Sequence, residues 1–133
     1  MESKNWTNLD HNKMKPNEYF LELITEFPTL KSGIESWGSE MVHSRMEEFS
    51  DYNIKQIKTK DYSELKRCFE FQESRIEKLD SDLINALNVS YCESLLLGKC
   101  AIEMTEIKKL LTPKLKKVYV EYEKYYAELS KTE

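Results

Sequence analysis

Glycine and proline are scarce in this chain, at three residues each in 133. Three glycines cannot build a Walker-type phosphate loop or a GxGxxG turn in the usual way, and neither pattern is present. HExxH and GxSxG are absent as well, which removes two common routes to hydrolytic chemistry. Histidine is scarcer still, with only His11 and His43. The three cysteines, Cys68, Cys92 and Cys100, form no CxxC pair. Scattered in this way, the His and Cys residues lack the short-range pairing of a zinc site. Nothing in their spacing supports a nucleophile pair of His43 with Cys68 or Cys92. Cys68 and Cys92 fall in apolar patterns, so free buried thiols in a reducing cytoplasm are expected. No apolar run reaches the roughly 20 residues of a membrane span. The opening stretch MESKNWTNLDHNKMKP has no apolar core of a signal peptide. A cytoplasmic protein without a cofactor or a metal, and not an enzyme, is the expectation.

What is abundant points to helix. One third of the residues are charged and 40% are hydrophobic, with Leu, Glu and Lys dominant and few breakers. The length suits one domain with a real core. Leu83–Leu97, reading LINALNVSYCESLLL, is apolar almost all the way round a helix and holds a single acid, Glu93. Such an element needs neighbours on several sides. The expectation is an all-α, single-domain multi-helix bundle, or a short HEAT-like helical stack, around a buried central helix at about 82–97. Residues 1–15 form a flexible N-terminal arm, pinned through Trp6 or Leu9, and residues 16–130 form the helical domain.

The other elements follow from periodicity and punctuation. Pro16 opens a helix with Tyr19, Phe20, Leu23, Ile24 and Phe27 on one face, and Pro28 closes it. A short helix carries Leu30, Ile34 and Trp37 and stops near Gly38. Ser39 caps a helix running to about Lys58, with a kink at 50–53, where helix formers are few. Asp61 and Glu64 make a capping box for a helix with Tyr62, Leu65, Phe69, Gln72, Ile76 and Leu79 on one face. Asp80, Ser81 and Asp82 each suit the N-cap of the central helix, and Gly98 its C-terminal end. A helix over 99–111 turns Ile102, Ile107, Leu110 and Leu111 inward. Thr112-Pro113 is an N-cap followed by proline, opening a last helix rich in tyrosine.

Two features bear on function. Acids cluster at Glu40, Glu47, Glu48 and Asp51, and again at Glu70, Glu73, Glu77, Asp80 and Asp82. A solvated helix face is the plain reading; an acidic surface for a basic partner is the functional one. The net charge of −4 argues against general nucleic-acid binding, which uses a basic face. The last helix carries Tyr119, Tyr122, Tyr125 and Tyr126, with the rings either in the core or on a recognition surface.

Two strings, Glu26-Phe27-Pro28-Thr29-Leu30 and the run from Asn85 to Leu96, resemble an uncharacterised bacterial all-helical domain group associated with small immunity-type proteins. The resemblance covers about residues 17–110 and departs at the Tyr- and Lys-rich final helix. It implies a protein partner, namely a toxin domain that the chain neutralises by occluding it. A mildly acidic inhibitor suits a basic nuclease toxin, because its carboxylates can stand where phosphates would. The residues expected to carry binding are Glu47, Glu48, Asp51, Glu70, Glu73, Glu77 and Asp80, with Tyr122 and Tyr125. The alternative is a helical adaptor that dimerises or docks a partner through its Tyr-rich C-terminal helix. Removal of everything after Thr112 would separate the two readings if the remainder still folded.

Overall fold

The computed structural model of the chain describes residues 12–131. The expectation for Trp6 and Leu9 lies outside the described residues. The fold is all-α. The helices are α1 (Pro16–Glu26), α2 (Lys31–Glu35), α3 (Val42–Thr59) and α4 (Tyr62–Glu73), then α5 (Ser81–Ala86), α6 (Glu93–Leu97), α7 (Met104–Ile107) and α8 (Pro113–Lys131). A π-helical turn, Leu87–Cys92, joins α5 to α6, so residues 81–97 run as one central helix. The central helix packs on α3 and α8, α3 packs on α4, and α4 packs on α8. That ring closes, as in a bundle. In an open stack each repeat touches only its sequence neighbours.

The inward stripe of α1 meets those of α3, α4 and the central helix in an aromatic core. Phe49 lies 5.7 Å from Phe71 and 5.6 Å from both Phe27 and Tyr91, and Tyr19 lies 5.4 Å from Phe71; both Phe71 contacts are edge to face and the other two are tilted. Two buried hydroxyls are satisfied inside this core. Tyr19 donates to Gln72 Oε1 (2.8 Å) and Tyr91 to Asn53 Oδ1 (2.6 Å). All three cysteines are free and buried, as expected for Cys68 and Cys92. Burial pushes the Cys92 thiol up to about 12 and Cys68 well above its ordinary value. Thiols so placed stay protonated at neutral pH.

Several expectations are corrected. Helix α3 begins at Val42 behind Met41, not at a Ser39 cap. It also runs unbroken through 50–53. Ser50 and Asn53 are fully buried, and their side chains donate to their own helix, at Glu47 O (2.9 Å) and Phe49 O (2.6 Å). Polar groups satisfied in this way need no break. Asp61 caps α4 by accepting from Glu64 N–H, but Glu64 does not return the bond. Its carboxylate takes the Tyr52 hydroxyl and Arg67 instead.

The helix expected at 99–111 is reduced to turns, the four residues of α7 and a 3₁₀ turn, Lys108–Leu110. Ile102, expected inward, is 87% exposed. Met14, expected to belong to a flexible arm, is held against the 78–80 segment. Met14 pairs with Leu79, donating to Lys78 O (2.6 Å) and accepting from Asp80 N–H (3.1 Å).

Gly98 ends the central helix in extended backbone rather than a left-handed cap. Its glycine requirement is space, since a Cβ would stand 2.1 Å from the Ser94 carbonyl oxygen.

The start of α8 is held by a residue from another helix. Thr112 was the expected cap, but its hydroxyl faces Phe69 O (3.5 Å). Glu73 of α4 accepts from the N–H groups of Lys114 (2.9 Å) and Leu115 (3.1 Å), satisfying donors that a helix start leaves open. Burial raises the Glu73 carboxyl, but the Thr112 hydroxyl and those two N–H groups outweigh it and hold the group below its ordinary range. A carboxyl depressed on folding adds stability above its unfolded pKa, about 4.3, and that stability is lost as pH falls through the folded value. Glu73→Ala is therefore expected to cost about 1 kcal/mol at pH 7. In thermal unfolding, the gap between Glu73→Gln and the parent chain should shrink between pH 5 and pH 3.

Candidate functional site

The central helix is not covered on every side. Ile84 and Val89 remain 43% and 41% exposed. Helix α8 packs on the π-helical turn that carries Val89. Leu115 and Tyr119 anchor it in the core, and Tyr122 is buried with its ring 5.8 Å from the exposed ring of Tyr125. Between the two helices lies a cleft of about 320 Å³, lined by Asn85, Asn88 and Val89 on one side and by Glu121, Tyr122 and Tyr125 on the other. The Tyr122 hydroxyl donates to Glu93 Oε1 (2.7 Å). Burial and that bond push the phenol above its ordinary range. The hydroxyl therefore stays a donor and fixes the ring.

Tyr122 and Tyr125, expected from the sequence, thus stand together. The sequence reasoning did not select Glu121, Asn85, Asn88 or Val89. A signal existed in Glu93, the lone acid in an otherwise apolar segment. An acid in such a run needs a partner or open water, and here it has the Tyr122 hydroxyl.

The acids expected to form a binding surface do not share one face of similar character. Asp80 is 4% exposed and caps the central helix by accepting from Leu83 N–H (2.9 Å). Glu73 caps α8, and Glu77 pairs with Lys114. These three hold the fold together. Glu48 accepts from the Trp37 indole N–H (3.0 Å). Asp51 lines a groove together with Lys55, Lys58 and Lys99. Partial burial and nearby Glu48 raise its carboxyl, with Lys99 opposing. Glu47 and Glu70 are exposed.

His43 reaches neither Cys68 nor Cys92. Its Nδ1 lies 2.7 Å from Ser90 Oγ, and Asn85 Nδ2 approaches its Nε2 at 3.5 Å. Ser90 is buried. The pair ties α3 to the π-helical turn and sets the Asn85 side of the cleft. Among the described residues, no three His, Cys, Asp or Glu side chains converge as metal ligands. No helix there is long and apolar enough to cross a membrane.

No curated protein and no solved structure matches the chain. A family model does match, over residues 20–127, and its description is a domain of unknown function, DUF7674. The match takes in part of α1, all of α2 to α7 and most of α8, and with them both walls of the cleft. The chain is thus a member of the DUF7674 family.

Proposed function

We propose that the chain is a non-enzymatic protein-binding domain, and that its partner presents a basic side chain to the cleft between the central helix and α8. One observation carries this reading. Glu121 lines the cleft with the rings of Tyr122 and Tyr125, Glu93 accepts from the Tyr122 hydroxyl, and no cationic side chain is in the lining. An Arg or Lys head group there would meet a negative charge and the face of an aromatic ring together. Tyrosines of this kind are frequent anchors of protein interfaces. Exposed Val89 in the lining adds apolar area that water would leave on binding.

The finer reading is an immunity protein of the bacterial cytoplasm, which neutralises a cognate toxin by covering a basic active surface. Its support is the resemblance in the two strings and the acidic character of the cleft. The direct test is co-expression with the C-terminal domain encoded by the adjacent reading frame. Growth should be rescued by the parent chain and by Glu70→Lys, and lost with Glu121→Lys. Equal rescue by both variants would remove the cleft from the account. No rescue by the parent chain would remove the immunity reading.

The adaptor reading keeps one observation in its favour. Tyr125 and Leu129 are exposed one turn apart on α8. Truncation after Thr112 cannot test it, because Leu115, Tyr119 and Tyr122 are core residues. Sedimentation of Leu129→Lys against the parent chain does so instead. A concentration-dependent dimer lost in the variant would favour the adaptor.

A further inference from the structure

We propose that the groove between the C-terminal half of α3 and the 94–99 segment binds a phosphate ester of a small hydroxylated molecule. The groove encloses about 500 Å³, within the range of small-molecule sites. Its charge is unusual for this chain. Lys55 and Lys58 enter from α3 and Lys99 from the opposite wall, against the single carboxylate of Asp51. The lining thus carries a net charge of about +2 in a protein whose net charge is −4. The ion pairs of the described lysines engage Lys108, Lys109, Lys114 and Lys131, and none engages the three lysines of the groove. A phosphate monoester is a dianion over most of the physiological range and matches that surplus.

The remaining groups fit the organic part. Ser94 Oγ donates to Ser90 O (2.6 Å) and Thr59 Oγ1 to Lys55 O (3.0 Å). With their protons engaged, both hydroxyl oxygens are left as acceptors, which suits hydroxyl groups on the ligand. Ile54 supplies an apolar floor against Gly98. The turn that brings Lys99 back beside α3 depends on Gly98, where a side chain would strike the Ser94 carbonyl. The groove is distinct from the Tyr122–Tyr125 cleft and shares no lining residue with it. Its test therefore needs no protein partner and stands or falls separately from the docking reading.

The experiment is calorimetric titration of the full chain, at low ionic strength, with adenosine 5′-monophosphate, glucose 6-phosphate and inorganic phosphate, and with adenosine as the phosphate-free control. At least one ester is expected to bind more tightly than inorganic phosphate, and adenosine is expected not to bind. Which ester binds distinguishes a nucleotide from a sugar phosphate. The double substitution Lys55→Gln, Lys99→Gln should weaken the ester by about tenfold or more, the scale of one lost charged hydrogen bond. Asp51→Asn, which removes the one opposing charge, should tighten it. Far-UV circular dichroism checks that each variant keeps its helices, and Lys58→Gln replaces the double variant if it does not. Failure of every phosphate to bind, binding of adenosine equal to its monophosphate, or unchanged affinity in the lysine variants would each overturn the proposal.

Discussion

Replacing Tyr91 by Ala is expected to cost about 3–5 kcal/mol, the range for deleting a large buried ring. Set against a typical total of about 5–15 kcal/mol, that loss brings the domain close to unfolding at room temperature. Tyr91 is fully buried, packs on Phe49, and sits in the π-helical turn. Its hydroxyl also donates to Asn53 Oδ1. Tyr91→Phe keeps the ring and removes only that bond, leaving a buried amide oxygen without its donor, at about 1–3 kcal/mol. The pair gives a built-in control. If Asn53 matters through this bond, Asn53→Ala in the Tyr91→Phe background should cost less than in the parent chain. Urea unfolding followed by circular dichroism measures all four corners of the cycle. A Tyr91→Ala chain within about 1 kcal/mol of the parent would contradict the assignment of this ring to the core.

The second large effect is on binding. Tyr125→Ala and Glu121→Lys are each expected to weaken the partner complex by about 2 kcal/mol, roughly 30-fold in Kd, the level of an interface hot spot. Neither should unfold the domain. Tyr125 is 59% exposed and Glu121 is exposed at the cleft, and substitutions at exposed positions usually stay within about 0.5 kcal/mol of the parent. Loss of binding without loss of stability is the signature sought. Glu121→Lys reverses the charge that would meet a basic side chain, so its effect should grow as salt is lowered. Tyr125→Ala removes ring area and should respond less to salt. If the two variants had the same salt dependence, the carboxylate and the ring would not have the separate roles given to them.

Helix starts were the most legible part of the sequence, because their chemistry is local. Pro16, Asp61, Asp80 and Thr112-Pro113 each mark a boundary that the fold uses. Inward faces were legible for the same reason. Tyr19, Leu23, Leu65, Phe69, Leu83 and Leu115 recur at helical spacing, and all are buried. What periodicity does not carry is the identity of the partner across a contact. Ser50 and Asn53 read as helix breakers because their donors compete locally with the backbone. In the fold they are buried, and Asn53 meets Tyr91 from a helix 38 residues on.

Among the acids, Asp80 was legible as a helix cap, because it stands directly before the helix whose Leu83 N–H it accepts. Glu73 was not, because the first N–H group it accepts belongs to Lys114, 41 residues ahead. Ile102 shows the converse. Its apolar character suggested an inward face, but the short turns after Gly98 leave it in solvent. The cleft was half visible, because Tyr122 and Tyr125 lie close in sequence, while Asn85, Asn88 and Val89 reach it only through the packing of α8 on the π-helical turn.

The central claim is that the face between the central helix and α8 docks the partner, rather than the outer acids of α4. One comparison tests it most directly, namely the affinity of Glu121→Lys and of Glu70→Lys for the domain encoded next to this chain, measured by calorimetry at the same salt. The account predicts about tenfold or greater weakening for Glu121→Lys and less than about twofold for Glu70→Lys. The reverse ranking, with Glu70→Lys crippling the complex and Glu121→Lys leaving it intact, would contradict it.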